Sequence, residues 1–164
     1  MVIYHMDIYL LLFLLLIAAP ISILLHEVGH ACAARIINAD LIIITIGRGK
    51  KLKTVCFKKL QIIIYNIYFL GGVAESKRNN PYQSLEIIWI AFSGPIFSGI
   101  VAFLFYMLNV LYPNNYLQLL FWFNVWLAVV NMIPFKINEK QTDGYMIIKL
   151  ISQKYPLFKC NKEK

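Results

Sequence analysis

Basic residues are missing from the first 34 positions of this chain and missing again from Asn79 to Phe135. All 16 Lys and Arg fall in two blocks, Arg35 to Arg78 and Lys136 onward. The formal net charge of +8 is therefore concentrated between apolar stretches. That pattern belongs to membrane topology rather than to a basic face for nucleic acid, and no nucleic-acid partner is expected. Cysteine is scarce too. Cys32, Cys56 and Cys160 are scattered, odd in number and form no CxxC pair, which excludes a disulfide framework and a zinc knuckle. There is no internal repeat and no low-complexity segment. What fills the uncharged stretches is apolar: 60% of residues are hydrophobic and mean hydropathy is +0.65, well above a soluble domain. An integral membrane protein is expected, as one domain over residues 1–164.

Three apolar segments read as spans, at about 8–35, 85–112 and 116–133. The uncharged run Ile8 to Leu25 reaches ~27 Å as a helix, close to a hydrocarbon core of about 30 Å. Ala18-Ala19 would suit signal cleavage, but no Lys or Arg precedes the run and Asp7 is its only flanking charge. Pro20 reads instead as a kink inside a spanning helix that continues to Arg35. The second segment is interrupted by Ser93-Gly94-Pro95 and Ser98-Gly99, small residues that let a neighbouring helix approach. The third carries Trp122 and Trp126 and breaks at Asn131-Met132-Ile133-Pro134.

Residues 41–70 differ in kind. Leu41 to Ile46, Leu52 to Phe57 and Leu60 to Tyr68 are β-branched runs punctuated by Gly47-Arg48-Gly49-Lys50 and Lys58-Lys59. They predict three strands joined by tight turns, in a small sheet at the cytoplasmic membrane surface. An open edge of such a sheet is a receptor for an extended peptide by strand addition. Gly71-Gly72 closes the region and Glu75 to Pro81 reads as a polar loop. After Pro134, a polar stretch leads into a short surface helix at about 143–154 and a basic tail. By the positive-inside rule both charged blocks are cytoplasmic, with the N-terminus outside and the C-terminus inside.

Within this frame one stretch carries chemistry: His26-Glu27-Val28-Gly29-His30. On a helix, two histidines four positions apart project from one face, as a tetrahedral Zn²⁺ requires of two ligands. Glu27 stands beside them as a base for water. Polar groups at such a depth are costly in lipid and mark a functional site. A catalytic zinc takes a third protein ligand. His5 is the one other histidine and lies a bilayer away. Asp143, brought back by the break at Asn131–Pro134, is favoured, and Glu139 is the alternative.

Taken together, His26-Glu27-Val28-Gly29-His30, Leu70-Gly71-Gly72 after a β region, Ser93-Gly94-Pro95 in the second core helix, and Asn131-x-x-Pro134 before Asp143-Gly144 resemble the site-2 protease family of intramembrane zinc metalloproteases, the M50 peptidases. The resemblance covers nearly the whole chain. It implies a three-helix core with one zinc ion held by His26, His30 and Asp143, and Glu27 as catalytic base. Asn131, Pro134, Gly94, Pro95, Gly71 and Gly72 would bind substrate or support the site. It also implies peptide-bond hydrolysis in a membrane-embedded peptide or single-span protein, for regulated intramembrane proteolysis or peptide maturation. One departure stands out: Asp143 follows Pro134 by nine positions, where the family usually has about five.

Two other classes compete. A non-catalytic relative, such as a membrane peptide-binding or immunity protein, would use the sheet edge and helix groove without metal. A metal transporter would need polar groups at several depths, and the first span offers only Ser22 before the motif. The CAAX-type membrane proteases need a Glu-Glu-x-x-x-Arg motif, which is absent. The abundance of Ile, Lys and Asn points to a bacterial cell membrane. Oligomeric state and substrate identity are not readable from one chain.

Overall fold

The computed structural model describes residues 3–138 and 140–154. Glu139, Cys160 and the basic tail lie outside the described residues. The first helical stretch is continuous but not uniform. Helix α1 (Ile3–Phe13) passes through a π-helical turn, Leu14–Ala18, into α2 (Ala19–Ile36). The widened turn has a sequence cause. Pro20 has no N–H to return to the Leu16 carbonyl, so the turn before it is held by the Ala19 N–H bonding five residues back to Leu14. The stranded Leu16 carbonyl accepts a long 3.5 Å hydrogen bond from the Tyr68 hydroxyl of the sheet. The proline disturbs this helix without breaking it.

Strands β1 (Leu41–Phe57) and β2 (Leu60–Lys77) replace the three short strands predicted. The ladder runs through the glycine punctuation, because Gly47, Gly49 and Gly71 take positive φ and turn the ribbon without ending it. The register resolves three continuous paired runs. Phe57↔Leu60 through Lys53↔Ile64 is an antiparallel hairpin over the two-lysine turn. Ile42↔Leu60 through Ile46↔Ile64 has both numbers rising, which is parallel. Leu41↔Lys77 through Ile46↔Gly72 is antiparallel. The run 41–46 is thus central, and its buried Ile42, Ile44 and Ile46 pack with Ala31, Ala34 and Ala39. Glu75 to Lys77, expected in a loop, instead form the last pairs of β2.

The sheet also extends along α2. Leu41↔Lys77 lies beside the end of α2, where Arg78 donates to the Ile37 carbonyl at 2.9 Å. The other end of that run, Gly72, lies against Ile23 and Glu27. The sheet therefore folds back along α2, burying its β-branched face on the alanine stripe rather than leaving it in water.

Arg78 also grips Glu86 with both terminal nitrogens, at 2.9 and 2.7 Å, tying the end of α2 to the start of α3 (Ser84–Leu111). Helix α3 continues through Pro95, and α4 (Asn115–Met132) returns alongside it. Beyond the break, β3 (Lys136–Ile137) and β4 (Lys140–Gln141) make a small hairpin before α5 (Asp143–Lys154).

Two stretches, Ile8–Ile36 and Ser84–Leu111, are long and apolar enough to cross a membrane. Only 17% and 33% of their apolar windows are buried in the protein, so they are not the core helices of a soluble fold. The expected third span is α4, which is shorter, at 18 residues, and interrupted by Gln118, Asn124 and Asn131. These amides lower its apolarity, and one of them serves a contact within the bundle. Asn124 is fully buried and donates to Ser22 Oγ of α2 at 2.8 Å.

Candidate metal centre

His26 and His30 lie one helical turn apart on the buried face of α2. The neighbouring helix reaches them because it carries glycine at the crossing. A Cβ on Gly94 would fall 2.9 Å from His26 Nε2 and closer still to the His30 ring. From the other side, a Cβ on Gly29 would meet Phe97 Cβ at 2.6 Å and the Ser93 carbonyl at 2.8 Å. Pro95 is buried in the same turn of α3.

Asp143 arrives from α5, 117 residues from His26. Its position is set by Thr142, which caps the helix by accepting from the Tyr145 N–H at 3.3 Å. The same hydroxyl donates to the Ile133 carbonyl at 2.7 Å, and it accepts from the Phe135 N–H at 3.1 Å. Gly144 lies directly against the Met132 carbonyl, with no room for a Cβ. At the first residue of a helix, the Asp143 carboxylate also meets the positive end of the dipole.

The three side chains converge. His26 Nε2 is 3.2 Å from Asp143 Oδ2, His30 Nε2 is 3.4 Å from Asp143 Oδ1, and the two Nε2 atoms are 3.3 Å apart. Donors around a tetrahedral divalent cation, each about 2.0–2.1 Å from it, stand about 3.3 Å from one another. The spacing and the chemistry of the donor set are those of a possible site for a divalent metal ion. Burial works to raise the Asp143 carboxyl, but the adjoining His26 and His30 side chains outweigh it and hold its pKa below the ordinary aspartate value. His5 belongs to α1, roughly 30 Å along the helix from His26.

Glu27, adjacent in sequence, turns toward β2, with Gly72 against its Cγ and the Ala74 backbone beside it. It lines a cleft of about 600 Å³ together with His26, His30, Asp143 and Asn131. One wall of that cleft is the Gly72–Ser76 edge of β2, whose only strand partner among the described residues lies on its other side. Lys140 and Gln141 of the hairpin line it too. The stretched Pro134-to-Asp143 spacing is thereby explained: the additional residues build the β3–β4 hairpin.

Not every expected residue reaches the site. Pro134 is exposed and ends α4 instead of lining the cleft. Gly71 serves the ribbon by its φ of 91° and also stays out of it. Asn131 lines the cleft while its amide nitrogen donates back to Leu127 of its own helix at 2.8 Å. Sequence reasoning missed Thr142, although a threonine directly before Asp-Gly is a legible N-cap signal. It also passed over Ser98 as a packing residue, and missed the Val73–Ser76 edge by reading Glu75 and Ser76 as loop.

Outward-facing apolar helices and a buried cluster of two imidazoles and a carboxylate define a membrane protein with a centre suited to a divalent metal. The model of peptidase family M50 matches residues 13–114, more than half of the chain, and this protein belongs to that family. The matched stretch holds His26, Glu27, His30, Gly72, Gly94 and Pro95, whereas Asn131 and Asp143 lie beyond it. No curated protein matches the chain.

Proposed function

We propose that this chain is an intramembrane zinc metalloendopeptidase, hydrolysing peptide bonds of a membrane-embedded peptide or single-span protein. The observation that carries the reading is the 3.2–3.4 Å triangle of His26, His30 and Asp143 in one cleft with Glu27. M50 peptidases are in general zinc-dependent, and His26, His30 and Asp143 would hold the ion here. When bound, zinc supplies Lewis-acid polarisation of the scissile carbonyl and of the attacking water. Glu27 takes the proton that water gives up as its oxygen bonds to the carbonyl carbon. It then passes that proton to the amine as the C–N bond breaks.

The open Gly72–Ser76 edge receives the substrate as an added extended strand, so a substrate helix must unwind before cleavage. Under this reading α4 is a third crossing, with the N-terminus outside and the site toward the cytoplasmic end. The bundle admits the Asn124 and Asn131 amide nitrogens of α4 because each donates to a partner within the protein.

The test uses quenched-fluorescent peptides of apolar single-span sequence in detergent. Wild type cleaves them and loses activity to a chelator. Glu27→Gln keeps its zinc and loses at least about a hundredfold in rate, in line with removal of a general base. Cleavage by Glu27→Gln at the wild-type rate would overturn the reading. Peptide binding by a wild-type protein that neither holds zinc nor cleaves would favour the non-catalytic alternative.

A further inference from the structure

Ligand nitrogens are half of the histidine geometry; the other half is what their second nitrogens touch. His30 Nδ1 donates to the Ile90 carbonyl at 2.7 Å, and a carbonyl has no proton to give. The neutral His30 ring is thus fixed with its proton on Nδ1 and its Nε2 lone pair toward Asp143. His26 Nδ1 lies 2.9 Å from Ser98 Oγ, and that contact is buried, with Ser98 fully inaccessible.

The two contacts belong to one row. Ile90, Gly94 and Ser98 are four residues apart on α3 and face His26 and His30, four apart on the antiparallel α2. The row supplies a carbonyl, then a gap, then a hydroxyl. Gly94 brings the backbone against the rings, and the polar groups one turn to either side meet the two Nδ1 atoms. A buried serine between helices is commonly explained as interhelical glue. Here the hydroxyl meets the ring nitrogen opposite the cluster, at the same relative position as the carbonyl that fixes its neighbour.

We propose that Ser98 is a positioning residue. Its hydroxyl accepts the His26 Nδ1–H, which holds the imidazole in the tautomer and orientation that present the Nε2 lone pair beside His30 and Asp143. The effect on metal affinity rests on the proposed zinc site, while the tautomer does not. Outer partners of ligating histidines tune metal affinity by about ten- to a hundredfold.

The experiment pairs Ser98→Ala with Ser98→Thr in the full chain. In metal-free protein, ¹⁵N shifts of selectively labelled histidine report the tautomer, with His26→Gln providing the assignment. Wild type is expected to show His26 protonated on Nδ1, Ser98→Ala to lose that state, and Ser98→Thr to regain it. Titration with Co²⁺ alone, read by its tetrahedral d–d absorption, is expected to weaken about ten- to a hundredfold in Ser98→Ala. Ser98→Thr should return to within about threefold of wild type, the metal-free unfolding midpoint being unchanged.

A wild-type His26 protonated on Nε2 would overturn the proposal, and so would an alanine variant with wild-type tautomer and Co²⁺ affinity. Wild-type protein that binds no Co²⁺ or Zn²⁺ would sink the metal reading, with the nitrogen shifts still deciding the role of Ser98. If the alanine variant fails to fold, the wild-type tautomer and the threonine titration decide it.

Discussion

At the scale of single residues, the site depends as much on what is missing as on what is present. Gly94 contributes no side chain, and that is its role, because any Cβ would meet both imidazoles. Gly94→Ala is expected to separate α2 from α3 at the crossing and displace the rings. The cost is about 1–3 kcal/mol of overpacking, with zinc stoichiometry falling well below one. Thermal unfolding in detergent and metal analysis of the same preparation check it; an alanine variant with full zinc and unchanged stability would contradict the crossing. Glycine was legible in the sequence as a packing residue, but not as the residue that faces the histidines.

At the scale of elements, local chemistry delivers distant groups. Asp143 is placed by the cap of α5, so Thr142→Ala should cost about 1 kcal/mol, the usual worth of an N-cap. Metal affinity should fall more than this small cost suggests, since α5 then loses its tie to the Ile133 and Phe135 backbone. Unfolding midpoint and Co²⁺ titration, measured together, separate the two effects.

A second element-scale test concerns α4. Ser22→Ala removes the acceptor of the buried Asn124 amide and leaves it only the Leu120 carbonyl. The expected loss is about 0.5–1.5 kcal/mol, read as a lower unfolding midpoint in mixed micelles with zinc content unchanged. The sheet shows how an element can be half-read. Its β-branched runs announced strands, but Gly47, Gly49 and Gly71 signalled ends where the ribbon only turns. Polar Glu75 and Ser76 looked like loop because an edge facing a wet cleft has no need to be apolar.

At the scale of the whole molecule, charge placement sets topology. The two basic blocks flank the apolar helices, and Cys56 is exposed in the first of them. With Cys32 and Cys160 replaced by serine, Cys56 should react with a membrane-impermeant maleimide in inside-out vesicles and stay unlabelled in intact cells. Labelling in intact cells would reverse the proposed orientation. The same scale explains the fold-back of the sheet. Its apolar face finds the alanines at the end of α2, and this brings the Gly72–Ser76 edge to Glu27.

By itself the sequence determined the membrane class, the pairing of His26 with His30, the approximate extents of the later helices and the two basic blocks. Each of these follows from periodicity or charge within one segment, where 3.6 residues per turn and the cost of charge in lipid act locally. Tertiary structure carried Asp143, which the sequence only nominated, to the two histidines, and it alone decided that Ser98 and the Ile90 carbonyl meet the far nitrogens and that a strand edge walls the cleft. The hydrogen bonds among them join residues 60 to 117 positions apart. Their geometry comes from a glycine crossing, a threonine cap and a buried apolar sheet face acting at once, and no single stretch of the chain contains it.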